Sequence, residues 1–469
     1  MKPGLPTAME RPHFIGIGGA GMSGIAKILA QRGAQVAGSD SRDSETAQAL
    51  RAHGATVHIG HAAGHLATDA TCVVVSSAIR ADNPELARAA ELGIPVVHRS
   101  DALASVMDGL RPIAVAGTHG KTTTTSMLAV ALGALGLDPS YAIGGDLDAP
   151  GSNAHHGEGD VFVAEADESD RSFHKYSPQV AIILNAELDH HANYASMEEI
   201  YESFETFVGK IVPGGTLVVA HGQEGAAEIA GRVSGNPGLT VTTYGEEETA
   251  DVWIRKVTPR GLTSEVSVVI DGREIVFTVS VPGRHYAHNA VAALAAGVAL
   301  GISADDLAAA LGKYTGVKRR LQLKGEAAGV QVIDSYAHHP TEMTADLEAI
   351  RGAAGDSRIL VVFQPHLFSR TQELGKEMGQ ALALADASVV LDIYPAREDP
   401  VPGVTSELII SAARAAGADV TPEHDKDAVA DVIAGMAKPG DLVLTMGAGD
   451  VTDLGPHILD RIRLAHLSN

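Results

Sequence analysis

A glycine-rich segment that ends in Gly-Lys-Thr carries the clearest chemistry in this sequence. Residues 117–123 read Gly-Thr-His-Gly-Lys-Thr-Thr and stand between an apolar stretch and a helical pattern. Backbone amides of such a loop bind phosphates, Lys121 can reach the β and γ oxygens, and the Thr122 hydroxyl can bind Mg²⁺. Val115 occupies the first glycine position of the usual Gly-x4-Gly-Lys pattern, so this loop is shorter. The segment predicts an ATP-binding loop.

Acidic residues follow the next apolar strand. Glu165 ends the strand at 161–164 and begins an acidic run over 165–170. The carboxyl ends of parallel strands meet at one sheet edge, so we expect Glu165 beside the phosphate loop as a metal ligand. The remaining acids have an ordinary alternative, a solvated turn. His190 follows a further predicted strand at the same edge. Because Mg²⁺ prefers oxygen donors, the residues alone give only weak support to His190 as a metal ligand.

A second glycine loop lies near the N-terminus. Gly16, Gly18 and Gly21 have the Gly-x-Gly-x-x-Gly spacing between a strand and a helix, and Asp40 ends the next strand. This pattern is typical of a loop that binds a nucleotide diphosphate at a helix N-terminus. The motif leaves open whether the ligand is NAD or another nucleotide. A nicotinamide-dependent oxidoreductase is therefore one alternative, although it leaves the Gly-Lys-Thr loop unexplained.

The elements that would position these residues alternate between strands and helices, which predicts an α/β protein with parallel sheets. Residues 252–281 differ, because alternating residues and the Asp271-Gly272 turn predict an antiparallel hairpin. We expect a Rossmann-like domain over 1–108, a central P-loop-type ATPase α/β domain with a small antiparallel sheet over 109–318, and a C-terminal Rossmann-like domain over 319–469.

Composition limits the function classes. The 469 residues include 35 Lys and Arg against 58 Asp and Glu, a net charge of −23. Such acidity disfavours nucleic-acid binding, which requires a basic face. Cys72 is the single cysteine, and its apolar segment predicts an inert buried thiol in a reducing compartment. The sequence shows neither a signal peptide nor a membrane span, so we expect a cytoplasmic protein without membrane contact.

The motifs together resemble the Mur ligase family over essentially the whole chain. In the first two domains the resemblance lies in residues 13–24, 76–79, 117–125, 165–170, 189–190 and 283–289, and in the third in 334–342, 363–371 and 392–395. Tyr286, Ser335 and Leu367 depart from the family's pattern, which often has Asn, Asp and Arg at these positions.

The resemblance implies one ligand per domain: a UDP-sugar first, ATP second and an amino acid third. It implies catalytic roles for Lys121, Glu165, His190 and Arg320, and metal binding by Thr122, Glu165 and His190. The implied ATP-binding residues are Gly117, Thr118, His119, Gly120, Lys121, Thr122, Thr123, Asn289, Arg320 and Asp334. The implied UDP-sugar residues are Gly18, Gly19, Ala20, Gly21, Met22, Ser39, Asp40, Ser76, Ser77 and Arg99. The implied amino-acid residues are Tyr336, His338 and Arg370.

The activity that the resemblance implies is ATP-driven addition of L-alanine to the lactyl carboxylate of UDP-N-acetylmuramate, in peptidoglycan precursor synthesis. Two Mg²⁺ ions, replaceable by Mn²⁺, would assist, and the chain would be a monomer or weak homodimer. Glycine and serine stay open as amino-acid substrates. Two further alternatives are a nucleotide-gated ATPase without ligase chemistry and the tripeptide ligase of peptidoglycan recycling.

Overall fold

The computed structural model describes residues 5–147, 152–188, 194–396 and 398–467, and within them the strands form three sheets. The first sheet has five parallel strands in the order β3-β2-β1-β4-β5, which is a Rossmann-like arrangement. Its strands are β1 (Pro12–Ile15), β2 (Ala37–Asp40), β3 (Thr56–Ile59), β4 (Cys72–Val75) and β5 (Val96–His98). Its helices are α1 (Ala20–Gln31), α2 (Glu45–Ala52), α3 (Pro84–Leu92) and α4 (Arg99–Met107).

The second sheet has ten strands in the order β15-β14-β13-β12-β11-β10-β6-β9-β7-β8. These strands are β6 (Arg111–Ala116), β7 (Ser140–Ala142), β8 (Ala154–His155), β9 (Val161–Glu165), β10 (Val180–Ile183), β11 (Thr216–Ala220), β12 (Thr240–Gly245), β13 (Val252–Arg260), β14 (Thr263–Ile270) and β15 (Arg273–Val279). The helices are α5 (Lys121–Ala134), α6 (Met197–Val208), α7 (Glu224–Val233), α8 (Arg284–Ala299) and α9 (Ala304–Leu311).

The predicted hairpin is present, with positive φ angles of 50° at Asp271 and 73° at Gly272 in its two-residue turn. Its strands differ from the prediction in one respect. They continue the ten-stranded sheet and do not form a small sheet of their own, because β13 pairs with β12 at Val252 and Trp253.

The third sheet has six strands in the order β16-β17-β21-β18-β19-β20, parallel except for the β16–β17 pair. The strands are β16 (Gln322–Ala327), β17 (Val330–Ser335), β18 (Ile359–Phe363), β19 (Ala387–Val390), β20 (Val420–Pro422) and β21 (Leu442–Met446). The helices are α10 (Pro340–Ala354), α11 (Phe368–Leu382), α12 (Glu407–Ala415), α13 (Val429–Met436) and α14 (Leu454–Leu467). Single 3₁₀ turns cover Thr7–Met9, Ala63–His65, Ser172–Lys175, Lys426–Ala428 and Asp450–Asp453.

The chain divides into two compact units. The first comprises Met1–Lys256, Val266–Phe277 and His288–Tyr314, and the second comprises Val257–Glu265, Thr278–Ala287 and Thr315–Asn469. The five-stranded sheet and most of the ten-stranded sheet therefore share the first unit. Among the described helices, none combines the length and apolarity needed to cross a membrane.

The central strands are apolar because helices cover both faces of each parallel sheet. Every residue of β10, β11, β18 and β21 is buried. The Cys72 thiol lies in the first core with no exposed surface, and burial raises its pKa to about 11. This confirms the prediction of an unreactive thiol.

Candidate functional site

The phosphate loop joins β6 to α5 and needs glycine at two positions. Gly117 has a φ of 140° and Gly120 a φ of 87°, values that L side chains rarely adopt. A Cβ on Gly117 would lie 3.0 Å from the Leu184 Cβ, and one on Gly120 would lie 2.7 Å from Asn289 Oδ1. The loop is therefore packed tightly on its neighbours, and Asn289 lies beside it. The adenine contact of Asn289 stays a prediction.

A polar segment after β10 holds the phosphate loop in place. The His119 amide donates to Asn185 Oδ1 at 2.8 Å, and Asn185 Nδ2 donates to the His119 carbonyl at 3.1 Å. The Glu187 amide donates to Thr118 Oγ1 at 2.9 Å. Sequence reasoning missed Asn185, although its place at the carboxyl end of a strand beside the loop is a signal that could have found it.

Lys121 begins α5 and is held on several sides. Its ammonium donates to the Gly117 carbonyl at 2.6 Å and to both Glu168 carboxylate oxygens at 2.9 Å. Burial acts to lower the pKa of Lys121, but the carboxylates of Glu168, Asp167 and Glu165 outweigh it and raise that pKa. Lys121 is therefore a fixed positive charge at the loop.

The acidic run is not a solvated turn, so that alternative is wrong. Glu168 is only 4% exposed and pairs with Lys121. Arg99 Nη2 lies 2.7 Å from Asp167 and 3.3 Å from Asp170. Burial acts to raise the pKa of Asp167, but Lys121, Ser169 and Arg99 overcome it and lower that pKa to about 2. The run thus connects Lys121 with the predicted UDP-sugar residue Arg99.

The predicted metal ligands are Glu165, at the end of β9, and Thr122, in the helix that follows the neighbouring strand β6. Glu165 pairs in register with Val115 of β6, which leads into the phosphate loop, while Thr122 lies in the first turn of α5. The Gly144 amide donates to Glu165 Oε1, and a Cβ at residue 144 would lie 2.8 Å from Oε2. Hydroxyl and carboxylate oxygens are ligands that Mg²⁺ prefers, so this donor set fits Mg²⁺. His190 lies outside the described residues.

The N-terminal glycine loop is closed by the strand beside it. The Gly18 amide donates to Asp40 Oδ2 at 2.8 Å, and the amides of Gly16 and Ile17 donate to the Ser39 carbonyl at 2.8 and 3.0 Å. Gly19 precedes α1, so the residues Ala20, Gly21 and Met22 form its first turn. The amides of a helix N-terminus are suited to a diphosphate.

Two predicted UDP-sugar side chains face inward. Ser39 has no exposed surface and its hydroxyl donates to Glu85, while Met22 is 3% exposed. Both side chains are therefore buried within the domain, and the place of Ser39 and Met22 at the UDP-sugar site stays a prediction. Ser77 donates to Asp170 at 3.0 Å, and a Cβ on Gly21 would lie 3.1 Å from Arg99 Nη1. Gly21, Ser77 and Arg99 thus lie near the acidic run.

In the second unit, Arg319 and Arg320 flank the ring of Tyr336. Their guanidinium carbons lie 4.8 and 5.2 Å from its centroid. Arg319 and Leu321 have positive φ angles of 64° and 49°, a strained backbone of the kind found at functional sites. Burial acts to lower the pKa of Arg320, but Glu342 and nearby acidic groups outweigh it and raise that pKa. Sequence reasoning did not single out Arg319.

The predicted amino-acid residues Tyr336, His338 and Arg370 share one region of this unit. The rings of Tyr336 and His338 meet edge to face at 5.3 Å. His338 Nδ1 lies 2.9 Å from the Tyr336 carbonyl, so Nδ1 carries the proton and Nε2 has the lone pair. Burial lowers the pKa of His338, and the nearby positive charge of Arg370 lowers it further.

Asp334, a predicted ATP-binding residue, is a buried carboxylate in this unit. Its carboxylate has no exposed surface and accepts hydrogen bonds from Thr445 at 2.7 Å and Thr452 at 2.6 Å. The carboxylate joins β17 to β21 and the segment after it. The ATP contact of Asp334 stays a prediction. Ser335, one of the departures from the family pattern, donates to the buried carboxylate of Asp346.

The fold and the two glycine loops define a multidomain α/β nucleotide-binding protein whose phosphate loop resembles those of ATP-using enzymes. Three family models match successive stretches: "Mur ligase family, catalytic domain" at 11–111, "Mur ligase middle domain" at 115–297 and "Mur ligase, glutamate ligase domain" at 319–449. The chain therefore belongs to the Mur ligase family.

Relatives match along the full length. The UDP-N-acetylmuramate–L-alanine ligase of Streptomyces avermitilis is 83% identical over 462 residues, which cover 98% of this chain and 99% of the relative. The ligase of the same name from Saccharopolyspora erythraea is 52% identical, over 98% of this chain and 94% of its own. The crystal structure of the UDP-N-acetylmuramate-alanine ligase of Thermotoga maritima has a TM-score of 0.82 at 28% identity, covering 97% and 99% of the two chains.

Proposed function

We propose that this chain uses ATP to join L-alanine to the lactyl carboxylate of UDP-N-acetylmuramate, releasing ADP and phosphate. The single observation that carries the proposal is full-length similarity, at 83% identity, to a ligase of that name. The geometry supports it, because the chain holds one loop for a nucleotide diphosphate and another for ATP phosphates. A nicotinamide-dependent oxidoreductase does not fit a member of the Mur ligase family.

The chemistry requires an activated carboxylate, because a free carboxylate has no adequate leaving group. A lactyl carboxylate oxygen attacks the γ-phosphorus, the bond to ADP breaks, and an acyl phosphate forms. The alanine nitrogen then attacks the acyl carbon, loses a proton, and phosphate leaves with the attacking oxygen. Lys121 would stabilise the charge on the transferring phosphoryl group, as would Arg320.

We assign Mg²⁺ to the oxygens of Thr122 and Glu165, with His190 as a further ligand. The site would hold two ions, and Mn²⁺ can substitute for Mg²⁺. When bound, Mg²⁺ neutralises the negative charge of the phosphates. The protein's own contribution would be to hold the Glu165 carboxylate at the end of β9 and the Thr122 hydroxyl next to Lys121 at the start of α5.

We assign the UDP-sugar to domain 1–108, ATP to 109–318 and the amino acid to 319–469. Arg370 would pair with the alanine carboxylate. His338 can accept the ammonium proton at Nε2, because its lowered pKa keeps the imidazole neutral at neutral pH. The protein would work in the cytoplasm as a monomer or weak homodimer.

Phosphate release with ATP, UDP-N-acetylmuramate and a panel of amino acids and short peptides tests the proposal. We expect release with L-alanine, and slower release with glycine or serine. Release with the tripeptide and not with alanine would identify a recycling ligase. ATP turnover that needs no amino acid would identify an ATPase without ligase chemistry.

A further inference from the structure

A buried carboxylate lies behind the N-terminal glycine loop. Glu85, near the start of α3, has no exposed surface. It accepts a hydrogen bond from Ser39 Oγ at 2.8 Å and one from the Ala62 amide at 3.2 Å, and His13 Nε2 lies 2.7 Å away. One side chain of α3 thus contacts β1, β2 and the segment after β3.

Histidines of β1, β3 and the segment after β3 lie around this carboxylate. His13 is 1% exposed on β1, while His61 Nδ1 and His65 Nδ1 lie 3.4 and 3.9 Å from Glu85 Oε1. His58, on β3, stacks on His65 at 4.4 Å. Burial acts to raise the pKa of Glu85, but the contacts with His13 and Ser39 overcome it and lower that pKa. The carboxylate is therefore ionised at neutral pH.

Ser39 connects this carboxylate to the glycine loop. Its side chain donates to Glu85, while its carbonyl accepts from the amides of Gly16 and Ile17. The next residue, Asp40, accepts from the amide of Gly18. A shift of Ser39 would therefore move the amides that shape the loop.

We infer that Glu85 is a positioning residue for the UDP-sugar site: through Ser39 it fixes the glycine loop without touching the ligand. This inference rests on the proposed function and deepens it. The alternative is a purely structural role, in which Glu85 only packs the domain. Loss of the carboxylate would then lower the stability of the protein and leave the affinity for the UDP-sugar unchanged. Hydrogen bonds to a charged group contribute more free energy than hydrogen bonds between neutral groups. The neutral side chain in Glu85→Gln should therefore hold the Ser39 hydroxyl less firmly.

The experiment measures UDP-N-acetylmuramate binding by calorimetry, and KM for ATP and kcat by phosphate release, in wild type and variants. For Glu85→Gln we expect the Kd of the UDP-sugar to rise about 10- to 100-fold, with KM for ATP and kcat at saturation within about twofold. The matched control is Glu91→Gln, an exposed residue of the same helix whose carboxylate lies 2.9 Å from Arg88. It should match wild type in all three constants.

Ser39→Ala provides a second variant if Glu85→Gln folds poorly. We expect it to raise the same Kd, and the double variant Glu85→Gln/Ser39→Ala to bind no more weakly than Glu85→Gln alone, because both act along one connection. Additive losses, or an unchanged Kd in both single variants, would overturn the inference. A wild-type protein that does not bind UDP-N-acetylmuramate would instead overturn the proposed function.

Discussion

At the residue scale, the phosphate loop combines a fixed cation with oxygen donors. Lys121 is held by the Gly117 carbonyl and by Glu168, and the ends of β6 and β9 bring Glu165 to the same edge. Preorganised charge of this kind stabilises a transferring phosphoryl group more than a mobile side chain does. We therefore propose that Lys121 acts on the chemical step, whereas Arg99 and Asp40 act in UDP-sugar binding.

Lys121→Ala tests this division. We expect kcat to fall by at least about 100-fold, because the cation at the γ-phosphate is lost, while the Kd of UDP-N-acetylmuramate stays within about twofold. The exposed Lys256→Ala serves as a control for the loss of one positive charge in the same unit. Equal losses in turnover and UDP-sugar binding would contradict the assignment.

His338 should set an acidic limb in the pH profile. Its pKa lies below the ordinary histidine value of about 6.5, so the neutral, proton-accepting imidazole persists below that pH. As pH falls through the pKa of His338, protonation removes the lone pair at Nε2, and kcat/KM for alanine should fall. His338→Gln should lower kcat/KM by about 100-fold and abolish that limb.

The control for this profile is His424→Gln. Hydrogen bonding to Asp392 raises the pKa of the exposed His424, and we expect its loss to leave the profile unchanged. An acidic limb that persists in His338→Gln would show that another group accepts the proton.

At the scale of elements, function depends on how loops leave parallel strands. The β6–α5 connection needs Gly120 in a left-handed conformation, and the segment after β10 holds this connection through Asn185. These contacts fix the amides that we propose bind phosphate. The first turn of α5 therefore gains its function from the neighbouring strand ends as much as from its own sequence.

Two glycines of the same connection and helix should respond oppositely to alanine. At Gly120 a Cβ would lie 2.7 Å from Asn289 Oδ1, and φ is 87°. Gly120→Ala should therefore lower the free energy of unfolding by about 1–3 kcal/mol and raise KM for ATP. Gly133 is exposed in α5 with open space around a Cβ, so Gly133→Ala should add about 0.5–1 kcal/mol of stability. Urea unfolding and KM measurements check both variants. An unchanged stability and KM in Gly120→Ala would contradict this account of the loop, and a loss of stability in Gly133→Ala would contradict the expectation for the helix.

The sequence predicted the elements that short residue patterns define. It missed features that depend on residues far apart in the chain. The strand Thr216–Ala220 and the glycine loops follow from short patterns of apolar residues and glycines. The edge strand Thr56–Ile59 was not predicted, because it is half-exposed and lacks an apolar pattern. Glu168 and Glu85 were missed as supporting residues because Lys121 and His13 lie 47 and 72 positions away in the sequence.

At the scale of the whole molecule, a net charge of −23 coexists with anionic substrates. Binding must therefore depend on local positive charge and backbone amides, since the overall field repels a nucleotide. We propose that Lys121 and Arg99 supply that charge in the first unit, and that Arg320 and Arg370 supply it in the second. A net charge far from zero favours solubility in general, whereas the site chemistry depends on a few placed groups.

Oxygen transfer from UDP-N-acetylmuramate labelled with ¹⁸O in its lactyl carboxylate tests the central claim most directly. The protein is incubated with ATP, L-alanine and this labelled substrate, and the released phosphate is analysed by mass spectrometry. We expect one labelled oxygen in each phosphate, because the attacking carboxylate oxygen leaves with phosphorus when alanine displaces it. Unlabelled phosphate released together with the alanine-containing product would contradict activation through an acyl phosphate.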